Sequence, residues 1–199
     1  MPAAWIRILA VAVLTVLALI GLVVHEQIAR DAGTEIRMAM QPVDPQSLLS
    51  GAYVEVSPTE SLPVGQPCPP GATEGPPPPT DLGQRPSHWL ALARRGDTWS
   101  VAGVADTQAA AARFAPLTAR GDAYCIALAP DTPGSVTADL GVDRVSLSQA
   151  EATHVSELVA RPVAQGGGTV QALISIGADG QARMKGLVVN GQRMELTWY

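Results

Sequence analysis

Residues 8–24, ILAVAVLTVLALIGLVV, form an apolar stretch of seventeen residues without a charged side chain. At about 1.5 Å per residue, a helix of this length lies at the short end of what crosses a hydrocarbon core. Trp5 and Ile6 can lengthen it at one interface. The stretch therefore predicts a transmembrane helix over about residues 5–24.

The charges around the apolar stretch predict its orientation. Arg7 and the free amino terminus precede it, whereas charges of both signs, such as Glu26 and Arg30, follow it. Cationic groups next to a first apolar segment tend to stay in the cytoplasm, so we expect the N-terminus inside and the rest of the chain outside. A cleaved signal peptide is the alternative, but residues 23–27, VVHEQ, lack the small-x-small site that cleavage requires.

The chain divides into a cytoplasmic tip and anchor over residues 1–30 and one exported domain over residues 31–199, a length sufficient for a single core. Of the 18 acidic and 13 basic residues, only Glu26, Arg7 and Arg30 precede residue 31, so the domain is net negative. It also has no basic cluster. We therefore expect no nucleic-acid partner.

A proline-rich stretch interrupts the domain at about residues 57–86, where ten prolines fall within thirty residues. Proline has no backbone N–H to donate, so the stretch favours an extended, solvated insertion over a helix or a sheet. A proline run can also dock into an aromatic groove of a partner, although a linker is the commoner role. We expect residues 58–86 to be dispensable for folding.

Alternation of apolar and polar residues predicts that strands dominate the rest of the domain. Within residues 35–40, Ile36 and Met38 share one face, and Glu35 and Arg37 share the other. The expected strands are 35–40, 51–56, 89–93, 98–104, 124–129, 169–176, 181–189 and 192–198.

Turn signals separate several of these strands. RRGD at residues 94–97 predicts a hairpin. ADG at 178–180 and NG at 190–191 can adopt the positive φ angles of tight turns. The end of the chain therefore predicts a three-stranded antiparallel meander.

Helix signals in the domain are fewer. Ser148 and Glu151 have the spacing of a capping box, and apolar residues follow at helical spacing, which predicts a helix over residues 149–160. A second short helix is expected in the alanine-rich segment that begins at Asp106. The expected fold class is α+β, mostly antiparallel β, with one N-terminal transmembrane helix and one or two short helices in the exported domain.

The chain has two cysteines, Cys68 and Cys125, and both follow the anchor. An oxidising compartment would permit a disulfide between them. Two unrelated thiols are the alternative, and the sequence leaves both open. No CxxC motif occurs, so the pair does not indicate a zinc or redox site.

Residues 40–56, MQPVDPQSLLSGAYVEV, predict a strand, one helical turn and a second strand. Asp44 is a good N-cap, and Pro45 suits the first helical position. The leucine pair that follows can bury the turn, and Gly51 can take the left-handed exit conformation. In the second strand, the ring of Tyr53 is expected to lie along the sheet.

This segment resembles the GDYXXLXY protein family, which comprises bacterial proteins with an N-terminal membrane helix and an exported domain. The chain departs from the family pattern at Ala52, Val56 and Pro58, where the family has aspartate, leucine and tyrosine. Residues 178–191 also resemble the closing hairpin of the family. The matching signature positions are Pro42, Asp44, Pro45, Leu48, Leu49, Gly51 and Tyr53.

The resemblance implies an architecture and a location, and it carries no established activity. Members are similar to proteins that occur beside multi-pass membrane proteins, which implies a membrane complex in the bacterial inner membrane with a periplasmic domain. If the family's aspartate were catalytic, Ala52 would make this chain inactive. A structural or binding role of the segment survives that substitution more easily.

Patterns for catalysis or metal binding are weak. Lys185 is the only lysine, and no nucleophile segment of the signal-peptidase type lies near the anchor, so we interpret it as a solvent-facing strand residue. His25, His88 and His154 lie in three different settings, without HxH or HxxxH spacing. No GxSxG elbow occurs, although a Ser-His-Asp triad stays open. The sequence therefore identifies no catalytic, cofactor-binding or metal-binding residue.

Two functions from different classes remain. The first is a single-pass membrane-anchored envelope protein that contacts lipid through its anchor and whose exported domain binds or scaffolds a partner, such as a multi-pass membrane protein. The alternative is a membrane-tethered periplasmic hydrolase. A binding module needs an exposed apolar patch or a sheet edge, whereas an enzyme needs a concave site with perturbed titratable groups.

The signature segment yields a test of its role. If it is a structural corner, Leu48→Ala or Leu49→Ala should cost about 2 to 5 kcal/mol through lost burial and a cavity. Asp44→Ala should cost about 1 kcal/mol through a lost helix cap. Thermal melts of the three variants measure these costs. Unchanged melting temperatures for both leucine variants would contradict the structural role.

Overall fold

The first element of the fold is a long helix, α1 (Pro2–Ala32). The structure is a computed structural model that describes residues 2–40, 53–55, 57–78, 86–127, 132–142, 144–146 and 169–195. A stretch of α1, Trp5–Ala32, is long and apolar enough to cross a membrane, and an 18-residue window within it has a mean hydropathy of 2.8. Its side chains are apolar on all sides, which suits a lipid environment, although a signal sequence has the same features. The predicted N-terminal apolar helix is confirmed.

The described residues after α1 form thirteen strands and one short helix. The strands are β1 (Thr34–Ala39), β2 (Tyr53–Glu55), β3 (Thr59–Leu62), β4 (Thr73–Glu74), β5 (Trp89–Arg95), β6 (Thr98–Ala105), β7 (Leu117–Arg120), β8 (Asp122–Ile126), β9 (Gly134–Asp139), β10 (Arg144–Ser146), β11 (Val170–Ile176), β12 (Ala182–Val189) and β13 (Gln192–Glu195), and the helix α2 (Gln108–Ala111) lies between β6 and β7. The α+β class with mostly antiparallel strands is confirmed.

The C-terminal sheet has the strand order β1-β11-β12-β13, and all its pairs are antiparallel. It contains the predicted three-stranded meander, with β1 added beside β11. Asn190 and Gly191 both adopt positive φ in the turn between β12 and β13. This conformation matches the right-handed twist of the flanking strands. The predicted turn is therefore confirmed.

Three further sheets complete the domain. The order β3-β9-β8-β4 forms a second four-stranded sheet, in which β4 pairs with β8 in parallel. The order β6-β5-β7 forms a three-stranded sheet built on the predicted hairpin at residues 94–97. The strands β2 and β10 pair separately. Sequence analysis did not predict β3, β4, β7, β9 or β10.

The main core lies between the C-terminal sheet and the other two larger sheets. Ile36 and Met38 are buried while Glu35 and Arg37 are exposed, as the alternation predicts. Each larger sheet contributes apolar side chains from one face, so a single core joins all three. Its most deeply buried members include Ile36, Leu90, Leu92, Cys125, Val136, Ile174 and Leu187.

The second helix, α2, is shorter than the alanine-rich segment suggests. The side chain of Thr107 accepts a hydrogen bond from the Ala110 N–H at 3.3 Å, and this cap fixes where the helix begins. Ala111 packs against Ala91 on the outer face of the three-stranded sheet, in a small second core. The predicted helix over residues 149–160 lies outside the described residues.

The expectation that the proline-rich stretch is a solvated insertion outside the sheets is wrong for its described part. Leu62 in β3 is buried in the main core. Cys68 forms a disulfide with Cys125 in β8, across a sequence separation of 57. The Pro70 carbonyl accepts a hydrogen bond from the Val104 N–H at 2.8 Å. Proline carbonyls still accept hydrogen bonds, and short strands fit between the prolines, so the stretch is part of the fold.

The turn between β11 and β12 packs against the three-stranded sheet. The Gly180 carbonyl accepts a hydrogen bond from the Arg120 N–H at 2.7 Å. The Arg120 guanidinium lies 4.8 Å from the centroid of the Trp89 ring, a cation–π arrangement. A Cβ atom added at Gly180 would lie 2.4 Å from Trp89 Cζ3. Only glycine fits at this contact between two sheets.

Gly180→Ala should therefore destabilise the domain more than a matched change at Gly65. The two glycines have φ angles of 76° and 77°, but nothing lies within 4 Å of a Cβ at Gly65. Gly65→Ala should cost about 1 to 2 kcal/mol from its left-handed backbone. Gly180→Ala should cost about 1 to 3 kcal/mol more than Gly65→Ala, because its added methyl group is overpacked against Trp89. Urea unfolding of both variants measures the difference, and equal costs would contradict the Trp89 contact.

Candidate functional site

The last turns of α1 lie against the C-terminal sheet, and we call this contact the helix–sheet joint. Arg30 is only 8% exposed, and its Nη2 donates a hydrogen bond to the Lys185 carbonyl at 3.1 Å. Glu26, one helical turn earlier, forms an ion pair with Arg183 of β12. Both helix residues face the same strand because positions four apart lie on one side of a helix. The joint therefore places the end of α1 against β12.

Arg183 is the central cation of the joint. Its guanidinium also contacts Asp179 in the preceding turn, at 3.1 Å between Nη2 and Oδ2. The hydrogen bonds that Arg183 donates to Asp179 and Glu26 raise its pKa above its ordinary value. The same contact with Arg183 lowers the pKa of Asp179. The turn and the helix are thus linked through one charged side chain.

A second group of charges lies on the outer face of the same sheet. Glu35 of β1 accepts two hydrogen bonds from Arg193 of β13, both at 2.8 Å, and Lys185 Nζ lies 3.2 Å from Glu35 Oε2. The hydrogen bond from Arg193 is the main cause that lowers the pKa of Glu35. These contacts connect β1 with β12 and β13 across the sheet.

Lys185 differs from its predicted setting. It lies on β12, but its side chain is only 16% exposed because it is covered within the ion pair with Glu35. The prediction of a strand residue is confirmed, but the side chain is mostly covered instead of facing solvent. Its ammonium donates to a carboxylate, which makes it a structural cation on this sheet.

A histidine dyad lies at a different place, where β5 begins beside β8. His88 Nδ1 contacts Asp122 Oδ1, and His88 Nε2 lies 3.6 Å from Asp106 Oδ1. The hydroxyl of Ser87 is 3.0 Å from the same Nδ1 atom that contacts Asp122. A catalytic serine would have to lie at Nε2, so Ser87, His88 and Asp122 do not form a serine triad. The dyad could still orient His88 as a base toward water.

Glu60 is a carboxylate whose pKa is shifted mainly by burial. It lies opposite Val136, a core residue of β9, and so shares the core-facing side of the second sheet. Burial raises its pKa, and the charge of Arg95 opposes this shift in part. A charged residue that points inward on an edge strand also hinders pairing with other chains.

The residues singled out from the sequence are largely separate from these clusters. Tyr53 is the first residue of β2 and is opposite Ser146 in β10. Cys68 and Cys125 are joined by the disulfide. The remaining signature positions, Pro42, Asp44, Pro45, Leu48, Leu49 and Gly51, lie outside the described residues, as does His154.

Sequence reasoning missed the joint and the dyad. Glu26 and Arg183 are 157 positions apart, so no local pattern connects them. His88 and Asp122 are likewise 34 positions apart. Within the part of the chain that the structure describes, no group of three His, Cys, Asp or Glu side chains could hold a metal ion.

The arrangement defines an α+β domain attached directly to a long apolar helix. The family model for the GDYXXLXY protein matches residues 15–187, and the chain belongs to this family. The match spans both the helix and the C-terminal sheet. No curated protein and no solved structure matches the chain.

Glu60→Gln should stabilise the protein near neutral pH. Because the folded-state pKa of Glu60 is raised, stability falls as pH rises from the ordinary value of 4.5 through the folded value. The glutamine variant has no such loss, so its advantage should appear above about pH 4.5 and vanish in more acidic solution. Urea unfolding of both proteins at several pH values measures this difference.

Glu74→Gln is the matched control for this test. Glu74 is an exposed glutamate of β4, at the opposite edge of the same sheet. Its substitution should change the free energy of unfolding by no more than about 0.5 kcal/mol. An advantage of Glu60→Gln that does not depend on pH would contradict the burial argument.

Proposed function

We propose that this chain is a single-pass protein of the bacterial inner membrane, with its N-terminus in the cytoplasm and its β-rich domain in the periplasm. The observation that carries the proposal is the exposure of α1, whose apolar side chains from Trp5 to Ile28 are all exposed. An exposed apolar helix of this length is stable in lipid and unfavourable in water. The proposed anchor therefore accounts for a surface that the domain leaves open.

Two observations support the proposed orientation. Arg7 precedes the apolar stretch, and cations near a first apolar segment favour the cytoplasmic side. The disulfide between Cys68 and Cys125 fits an oxidising compartment such as the periplasm. Both observations support a domain on the periplasmic side of the membrane.

We further propose that the domain binds or scaffolds a multi-pass membrane protein. A sheet edge can accept a strand from a partner, and β13 pairs with β12 on one side and with no other strand among the described residues. Phe114 is 45% exposed and lies over Gly103 on the three-stranded sheet. Half-exposed aromatic side chains are common anchors at protein interfaces. The family resemblance to proteins beside multi-pass membrane proteins favours this class of partner.

A reporter fusion tests the proposed topology. A reporter that is active only outside the cytoplasm, fused after Tyr199, should be active because the domain is exported. The mature protein should also have the mass of the full chain, since the anchor is retained. An inactive reporter, or a mature chain that begins near Gln27, would overturn the proposal.

Co-purification tests the proposed partner. The full chain, solubilised in mild detergent, should retain a multi-pass membrane protein at a constant ratio. Another single-helix protein of the same membrane, purified in parallel, should not retain it. Recovery of the chain alone after crosslinking in intact cells would reject the scaffold.

The histidine dyad favours a second candidate, a membrane-tethered hydrolase. Asp122 would orient His88 so that Nε2 takes a proton from water. His88→Gln and Asp122→Asn should then both abolish ester hydrolysis by the purified full chain, with unchanged melting temperatures. Hydrolysis that survives both substitutions would reject the dyad as its source.

A further inference from the structure

The helix–sheet joint is held by polar contacts, unlike the interior of the domain. Among the described side chains of α1, no apolar one belongs to either core cluster. Ile28, in the same turns as Glu26 and Arg30, is 61% exposed. The polar contacts of the joint include the Arg30 hydrogen bond to Lys185 and the Glu26–Arg183 ion pair. Water can replace such contacts at little cost, because the separated groups become hydrated.

A buried hydroxyl at the joint opposes docking. Ser175 of β11 is fully buried, and its Oγ has no hydrogen-bond partner among the residues that the structure describes. A hydroxyl without a partner is less stable in the interior than in water. The docked arrangement therefore contains a cost that separation of the joint would relieve.

Gly33 is the single residue between α1 and β1 and is the candidate hinge of the joint. A Cβ atom at this position would lie 2.1 Å from Ser175 Oγ and 2.9 Å from the Ile176 carbonyl oxygen. Glycine is therefore required for α1 to lie against the sheet. It also leaves the backbone free to change direction, since it lacks a side chain.

We propose that the helix–sheet joint is a two-state contact, in which α1 docks on β12 and separates from it about Gly33. The joint combines replaceable polar contacts, a buried hydroxyl that favours separation, and a glycine hinge. A partner that pulls or tilts the membrane segment would change the docked fraction and so the position of the domain. This role rests on the proposed anchoring, whereas the two states themselves do not.

Distance measurements on the full chain in detergent micelles test the proposal. Spin labels at Ile28→Cys on the helix and Asp97→Cys at the tip of the β5–β6 hairpin report the separation, while the native disulfide stays oxidised. We expect two distance populations. The docked population should decrease when the salt concentration rises from about 50 to about 500 mM, because salt screens the partly exposed Glu26–Arg183 pair.

Three substitutions sharpen the test. Arg183→Gln should raise the ratio of separated to docked molecules about fivefold through loss of the ion pair. Ser175→Ala should lower the same ratio at least about fivefold, because it removes the buried hydroxyl. Arg113→Gln removes an exposed charge away from the joint and should leave the ratio unchanged.

One narrow distance, unaffected by salt, Arg183→Gln and Ser175→Ala, would overturn the two-state joint and show a rigid connection. That result would leave the proposed anchoring intact, because anchoring is judged by the reporter fusion. An inactive reporter with two distance populations would reject the anchoring and retain the joint.

Discussion

The antiparallel pairing of β1 with β11 is the constraint on which the rest of the structure depends. It matches Thr34 with Ile176 and Ala39 with Gln171, and so joins the chain just after α1 to its C-terminal part. Closing so long a loop costs conformational entropy, which the burial of Ile36 and Met38 against the main core offsets. Because only Gly33 separates β1 from α1, this pairing also brings the helix to the sheet.

The two faces of the C-terminal sheet carry different kinds of side chain. Its inner face supplies apolar side chains to a core shared with the other larger sheets. Its outer face carries the ion pairs of Glu35, Lys185 and Arg193, which connect the edge strand β13 back to β1. The domain should therefore unfold as a unit, while the helix–sheet joint, to which α1 contributes no described residue of either core cluster, can open locally.

Local sequence patterns predicted the elements that depend only on residues close together in the chain. The apolar run of α1, the alternation in β1 and the NG turn at residues 190–191 each have a physical reason within a few residues. The strands β3 and β4 were missed because prolines surround them, and their partners β9 and β8 lie far along the chain. The ion pair of Glu26 with Arg183 depends on the tertiary fold alone, so no spacing in the sequence predicts it.

The disulfide and the joint stabilise two different parts of a small domain that follows a long apolar helix. The disulfide fixes the proline-rich stretch to β8, where few backbone N–H groups are available for pairing. The joint instead uses charged side chains, which suits a boundary that water can reach. A core held by apolar burial and a boundary held by polar contacts respond to different conditions. Salt or a force on the helix can therefore change the boundary without unfolding the core.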